Sequence, residues 1–173
     1  MKKRVALLAA SAVGALLAAT APAQAATDDW HVIPSRTGDL VNHKASGWTL
    51  HAYDGPTSPS AVVQAEGWGR VDWGLGSSES TGYTVEVHAG AKDLARDGRC
   101  AVTVVNYDVK VNGSWHNGQE RSPAIDCTDG DGAVTGKYYR SNYKMRNVRF
   151  RECLGGPDGS YDWTTCKDWS WSV

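Results

Sequence analysis

The chain lacks most of what would announce an enzyme or a helical fold. Its 173 residues include a single phenylalanine and two methionines. No Cys-x-x-Cys occurs, and no cysteines and histidines cluster at ligand spacing, which removes the usual zinc frames. Neither a Gly-x-Ser-x-Gly elbow nor a His-Glu-x-x-His helix is present, which removes two common hydrolase signatures. Basic residues show no excess, 18 against 19 acidic for a formal charge of −1. Nucleic-acid binding usually rests on a basic patch that neutralises phosphates, so none is expected. Past residue 25 helical periodicity almost vanishes, which leaves no helical bundle and no α/β plan. Taken together, these absences point to a protein with no catalytic residue, no metal and no cofactor.

What is present first is a leader. Lys2, Lys3 and Arg4 precede an uncharged run from Val5 to Ala19, and Ala23-Gln24-Ala25 supplies small residues at the −3 and −1 positions of a signal-peptidase site. Residues 1–25 therefore read as a secretory signal peptide, too short in its apolar run for the roughly 20 residues a membrane span needs. The exported chain, residues 26–173, is sized for one domain with one core. The leader carries three of the 18 basic residues and none of the acidic ones, so this domain stands at 15 against 19, a formal charge of −4. It is expected to be a monomer outside the cell, with no membrane contact once the leader is cleaved.

Cys100, Cys127, Cys153 and Cys166 make an even count in an oxidising compartment, so two disulfides are expected. Of the three possible connectivities, Cys100 with Cys127 and Cys153 with Cys166 is favoured, because each bridge then joins neighbouring strands or a strand to its return. Apolar and polar residues alternate in short runs bounded by Gly, Pro, Asp and Ser, the pattern of an all-β domain, an antiparallel sandwich or small barrel. Residues 101–111 form the strongest strand, buried on both faces at its start. Asn112-Gly113 follows and suits a type I′ hairpin turn, returning at 114–117. It also explains Asn112-Gly113-Ser114, formally a glycosylation acceptor. Further strands are expected at 82–89, around Val71 and Trp73, and at 30–33, 48–53, 61–66, 134–140 and 143–153. The tail alternates Trp169, Trp171 and Val173 with Asp168, Ser170 and Ser172. Residues 91–97 are the one stretch that would allow a helical turn, and residues 55–60 read as an exposed loop.

Asp97-Gly98-Arg99-Cys100-Ala101, Asp126-Cys127 before a Gly-rich turn, and Val148-Arg149-Phe150-Arg151-Glu152-Cys153 closing on Cys166 with Trp169 three positions later form a frame. Through it, residues 97–171 resemble a group of small secreted actinobacterial proteins of unknown function. The resemblance implies a two-disulfide β-domain and an extracellular location, supports the sequential pairing, and brings no reaction or ligand.

Eight tryptophans against one phenylalanine is the compositional oddity. Exposed indole and phenol rings stack on the apolar faces of sugars, so a secreted β-sandwich rich in Trp suits polysaccharide binding. The competing account is a core built on Trp, which buries a large apolar area with one N–H to satisfy. Trp48 and Trp73 are expected inward; Trp115, just after the hairpin turn, and Trp163, inside the second disulfide loop, outward. Tyr161, Trp163, Trp169 and Trp171 near one disulfide form the leading candidate surface, with Trp115 added. A second class of function for such a rigid domain is inhibition of a secreted hydrolase by the loop held between Cys153 and Cys166, and a third is a small hydrolase.

Other constellations are weaker. Lys144, Arg146, Arg149 and Arg151, with Lys137 and Arg140 nearby, could grip an anionic group on a polymer, or be a solvated strand face. His31, His43, His51, His88 and His116 lack the context of a triad; Glu86 and His88 read as the solvent side of an amphipathic strand. Glu66, Asp72 and Glu86 are the carboxylates from which a glycosidase pair would come. Asp126, Asp129 and Asp131 imitate a calcium loop without its register, and read as a turn.

Overall fold

The computed structural model describes residues 28–40, 42–53, 63–74, 81–130 and 132–170, with only the backbone described over 42–49. The leader expected over 1–25, the loop expected at 55–60, residues 61–62 of the strand expected at 61–66, Asp131, residues 171–173 with Trp171 and Val173, and the His43 and Trp48 side chains lie outside the described residues.

Among the described residues, ten strands make two antiparallel sheets packed face to face. The first contains β1 (Trp30–Ile33), β8 (Tyr138–Ser141), β4 (Val85–Asp93), β3 (Val63–Trp73) and β2 (Asn42–Tyr53), in that spatial order, with the short β7 (Val134–Thr135) also on β4. The second is ordered β10 (Tyr161–Asp162), β9 (Lys144–Gly155), β5 (Cys100–Val111) and β6 (Ser114–Asp126). This is the all-β sandwich read from the alternation, and both disulfides, Cys100–Cys127 and Cys153–Cys166, are formed as paired above. Among the described residues no helix is long and apolar enough to cross a membrane.

The β5–β6 hairpin turns where Asn112 and Gly113 take φ of 50° and 84°, the two positive values a type I′ turn needs. Its return strand runs to Asp126 rather than stopping at 117, passing through Pro123. β6 has a neighbour on one side only, so the N–H that Pro123 lacks can be missing from the open edge. The strand expected at 82–89 is displaced to Val85–Asp93, and the helical turn expected over 91–97 is absent. Ala89, Ala91 and Asp93 continue the buried face of β4 and pair with β3 as far as Ala65, and this sheet register overrides the local helical preference. The chain then leaves the strand in a turn in which the Ala95 N–H donates to Asp93 Oδ1 at 3.0 Å.

The single phenylalanine sits at the centre of the sandwich. Phe150 is fully buried among Val71, Val105, Tyr107, Val109, Met145 and Leu154. Opposite it, β3 carries Gly69, where a Cβ would stand 2.4 Å from the Phe150 ring; at Gly67 a Cβ would stand 1.9 Å from Glu152 Oε2. These two glycines alternate on the inner face because the facing sheet places a bulky group against each of them.

Candidate functional site

Along β5, Ala101, Val105, Tyr107 and Val109 face the other sheet, while Val102 and Val104 face away from it. They are nonetheless fully buried, because Cys100 and Cys153 join them in a second small core against which Ile125, Tyr161, Cys166 and Trp169 pack. The cover is the chain after β9. It turns at residues 156–160, pairs Tyr161 and Asp162 with Gly155 and Leu154, makes a 3-10 turn at Trp163–Thr165, and is bolted to β9 by Cys153–Cys166. Three further bonds hold it: Leu154 N–H donates to Thr165 Oγ1 at 2.9 Å, Phe150 N–H to Ser170 Oγ at 2.8 Å, and Ser170 N–H to Phe150 O at 2.7 Å.

This strap wraps three aromatic rings around one arginine. The Arg151 guanidinium lies 3.4 Å from the Trp163 ring centroid, 4.0 Å from that of Trp169 and 5.6 Å from that of Tyr161. Its side chain is 8% exposed, with Glu120 Oε1 3.9 Å from Nη2. Nε and Nη2 have no hydrogen-bond partner, so the charge is met chiefly by ring faces. Burial lowers the Arg151 pKa from the ordinary arginine range. The Tyr161 hydroxyl donates to Glu120 Oε2, and burial first, then that carboxylate, raises its pKa. Trp163 is the exposed member, with 41% of its surface open.

The same face continues along β9 as a row of cations. Arg149 stands opposite Asn106 in register, donates from Nε to Asn106 Oδ1 at 3.1 Å, and holds its guanidinium 4.6 Å from the Trp169 centroid. A regular strand would turn Arg146 inward. The register shift between Asn106 and Asp108, with Asn147 at φ 54°, inserts one residue and brings Arg146 back to this face. There it pairs with Asp108 at 3.2 Å and lies 4.2 Å from the Trp115 centroid, with Lys110 Nζ 5.6 Å from the same ring.

The structure thus brings together Tyr161, Trp163 and Trp169, three of the residues singled out in the sequence. Trp115 shares their face but stands about 20 Å further along, six strand residues from Val104 to Lys110. It is half-buried under Arg146, not an open ring. Trp171 lies outside the described residues. Trp73 is half-buried against the main core, as its inward alternation implies. Arg151 is the member that sequence reasoning placed in a basic stripe and did not join to the aromatics; the antiparallel return forced by Cys153–Cys166 is the signal that links them.

The other candidates resolve differently. Asp72 and Glu86 are cross-strand partners, but each is buried, Asp72 against Arg36 and Arg70 and Glu86 against Arg140 and Thr37. Glu86 is therefore no solvent-facing residue: the loop before β2 carries Thr37 and Asp39 over the sheet, and Arg140 bridges Glu86 and Asp39. His88 is half-buried, stacked 3.8 Å from Tyr138 with Trp68 edge-on at 4.9 Å, and burial lowers its pKa. Glu66 faces His51 at 3.9 Å. Asp126, fully buried, accepts from the N–H groups of Asp93 and Thr128. Lys137 and Arg140 belong to the opposite sheet's strands and turns, away from the β9 row. Compared with protein families, with curated proteins and with solved structures, the chain matches none.

Proposed function

We propose that the chain is a secreted bacterial binding module that holds a polysaccharide of the cell wall or the surroundings on the outer face of its second sheet, without catalysis. The observation that carries this reading is the exposed Trp163 indole, fixed against Arg151 on a disulfide-bolted strap. A ring already immobilised loses little conformational entropy when a sugar stacks on it. The two disulfides fit an oxidising compartment outside the cytoplasm, in keeping with the leader. Asp72 and Glu86, cross-strand carboxylates, are each buried and engaged by arginines, which weighs for binding over hydrolysis.

The test is a pull-down of the oxidised protein lacking residues 1–25 on cellulose, chitin, xylan and peptidoglycan, beside Trp163→Ala and Trp171→Ala. Retention on at least one polymer that Trp163→Ala abolishes, with circular dichroism unchanged, is the expected result. No retention on any polysaccharide, soluble anionic ones included, overturns the reading and brings inhibition of a secreted hydrolase to the front. The loop between Cys153 and Cys166 would then be assayed against secreted proteases.

A further inference from the structure

We infer that the polysaccharide this face takes is anionic, a linear polymer carrying carboxylates on its sugars, with Arg149 as the carboxylate contact; this rests on the binding reading above. The face gathers Lys110, Lys144, Arg146, Arg149 and Arg151 against two carboxylates, Asp108 and Glu120. The strap over residues 161–170 adds Asp162, Lys167 and Asp168, one net negative charge. A chain of formal charge −1 thus concentrates two surplus positive charges on one side of one sheet. The β9 bulge is what keeps Arg146 in that row rather than in the core.

Within the row the arginines are not equivalent. Arg146 is neutralised by Asp108, and Arg151 is buried between indoles with Glu120 beside it. Arg149 has neither: Nε is engaged by the neutral Asn106 amide, the guanidinium is steadied over Trp169, and among the described residues nothing accepts from its two terminal nitrogens. A half-exposed planar fork, pre-aimed and uncompensated, is the group that grips a carboxylate in bidentate fashion. Glu120 accepts from Asn106 at 3.1 Å and from the Tyr161 hydroxyl, and among the described residues it makes no ion pair with Arg149. A polymer lying along β9 would set sugar rings on Trp163 and acid groups on Arg149, with Lys110 and Lys144 continuing the attraction toward Trp115.

Titration calorimetry of the oxidised protein with polygalacturonate, carboxyl-reduced polygalacturonate, dextran sulfate and a single-stranded DNA oligomer separates the cases. Polygalacturonate is expected to bind, its reduced form at least about tenfold more weakly, with Arg149→Gln costing about tenfold against polygalacturonate and little against the reduced form. Raising salt from about 50 to about 500 mM should weaken the acidic polymer's binding alone. Lys144→Gln, a substitution at an exposed site, serves as the second variant and should give a smaller loss of the same sign. Equal affinity for both polymers, indifferent to Arg149, overturns this inference and leaves the polysaccharide reading intact. No polysaccharide bound in any arm overturns this inference, and the polysaccharide reading itself falls only if cellulose, chitin, xylan and peptidoglycan retain nothing as well. Dextran sulfate or DNA bound as tightly as polygalacturonate overturns the carboxylate assignment in favour of unselective charge attraction.

Discussion

Replacing both Cys153 and Cys166 by alanine should release the strap and, with it, the aromatic cage around Arg151. The bridge spans 13 positions, a closed loop of 14 residues, and chain entropy over such a loop amounts to about 3 kcal/mol at room temperature. Cys153 is fully buried beside Val102 and Val104, so removing its sulfur adds of order 1 kcal/mol of lost burial. A total near 4 kcal/mol corresponds to a fall of roughly 10 °C in Tm for a domain of this size. The variant is preferable to a reductant, which would open Cys100–Cys127 as well. Thermal unfolding followed by far-UV circular dichroism gives the stability loss, and near-UV circular dichroism reports whether Trp163 and Trp169 keep their fixed surroundings. A loss below about 1 kcal/mol with an unchanged near-UV spectrum would refute the reasoning. It would mean that the Thr165 and Ser170 hydrogen bonds and the arginine–indole stack hold the strap without help.

Glu152 is buried between the sheets, and burial raises its pKa well above the ordinary carboxyl value. Its Oε2 stands 2.5 Å from Thr103 Oγ1, which itself stands 2.8 Å from Gly90 O; one hydroxyl proton serves only one of these, so a protonated Glu152 donating to Thr103 completes this chain, with Glu152 Oε1 left without a partner. The stability this proton supports is whole below the unfolded carboxyl pKa and is lost as pH rises through the folded one. Glu152→Gln should therefore gain on the parent in urea midpoint between about pH 4 and about pH 8, and a constant difference across that range would count against a buried neutral acid. Gly69→Ala forces a methyl against Phe150 and should cost about 1–3 kcal/mol, measured by urea unfolding. Phe150→Leu alone should also destabilise, yet the two together should cost less than their sum, and simple additivity would show that the pair does not share the space.

The fold was largely legible because period-2 alternation and turn chemistry agreed: Asn112-Gly113 marked the hairpin, and Val102 and Val104 among inward residues marked a strand covered on both sides. What alternation cannot show is which segment does the covering, since a strap that pairs with β9 at only a few positions leaves no strand signature of its own. The burial of Glu86 escaped for a similar reason. An acidic residue in an amphipathic strand reads as solvent-facing until a loop distant in sequence brings Thr37 and Asp39 across the sheet, and Arg140 meets it from the next strand. Of the site, the aromatic half was visible and the arginine at its centre was not joined to it, because their meeting depends on the register between β9 and a tail beyond a turn. The bulge at Asn147, which sorts Arg146 onto the face, has no marker in hydrophobic periodicity beyond the half-step it causes.

The strap has a consequence for the chain's behaviour in company. Without residues 161–170, β9 would end the second sheet as a long strand with N–H and C=O groups unpaired along one side, the template on which another molecule's strand can be added. Gly155, Leu154 and Phe150 spend theirs on the chain's own tail. The segment that carries the exposed Trp163 is therefore also a cap on a growing edge, and changes that loosened it would draw the protein toward self-assembly.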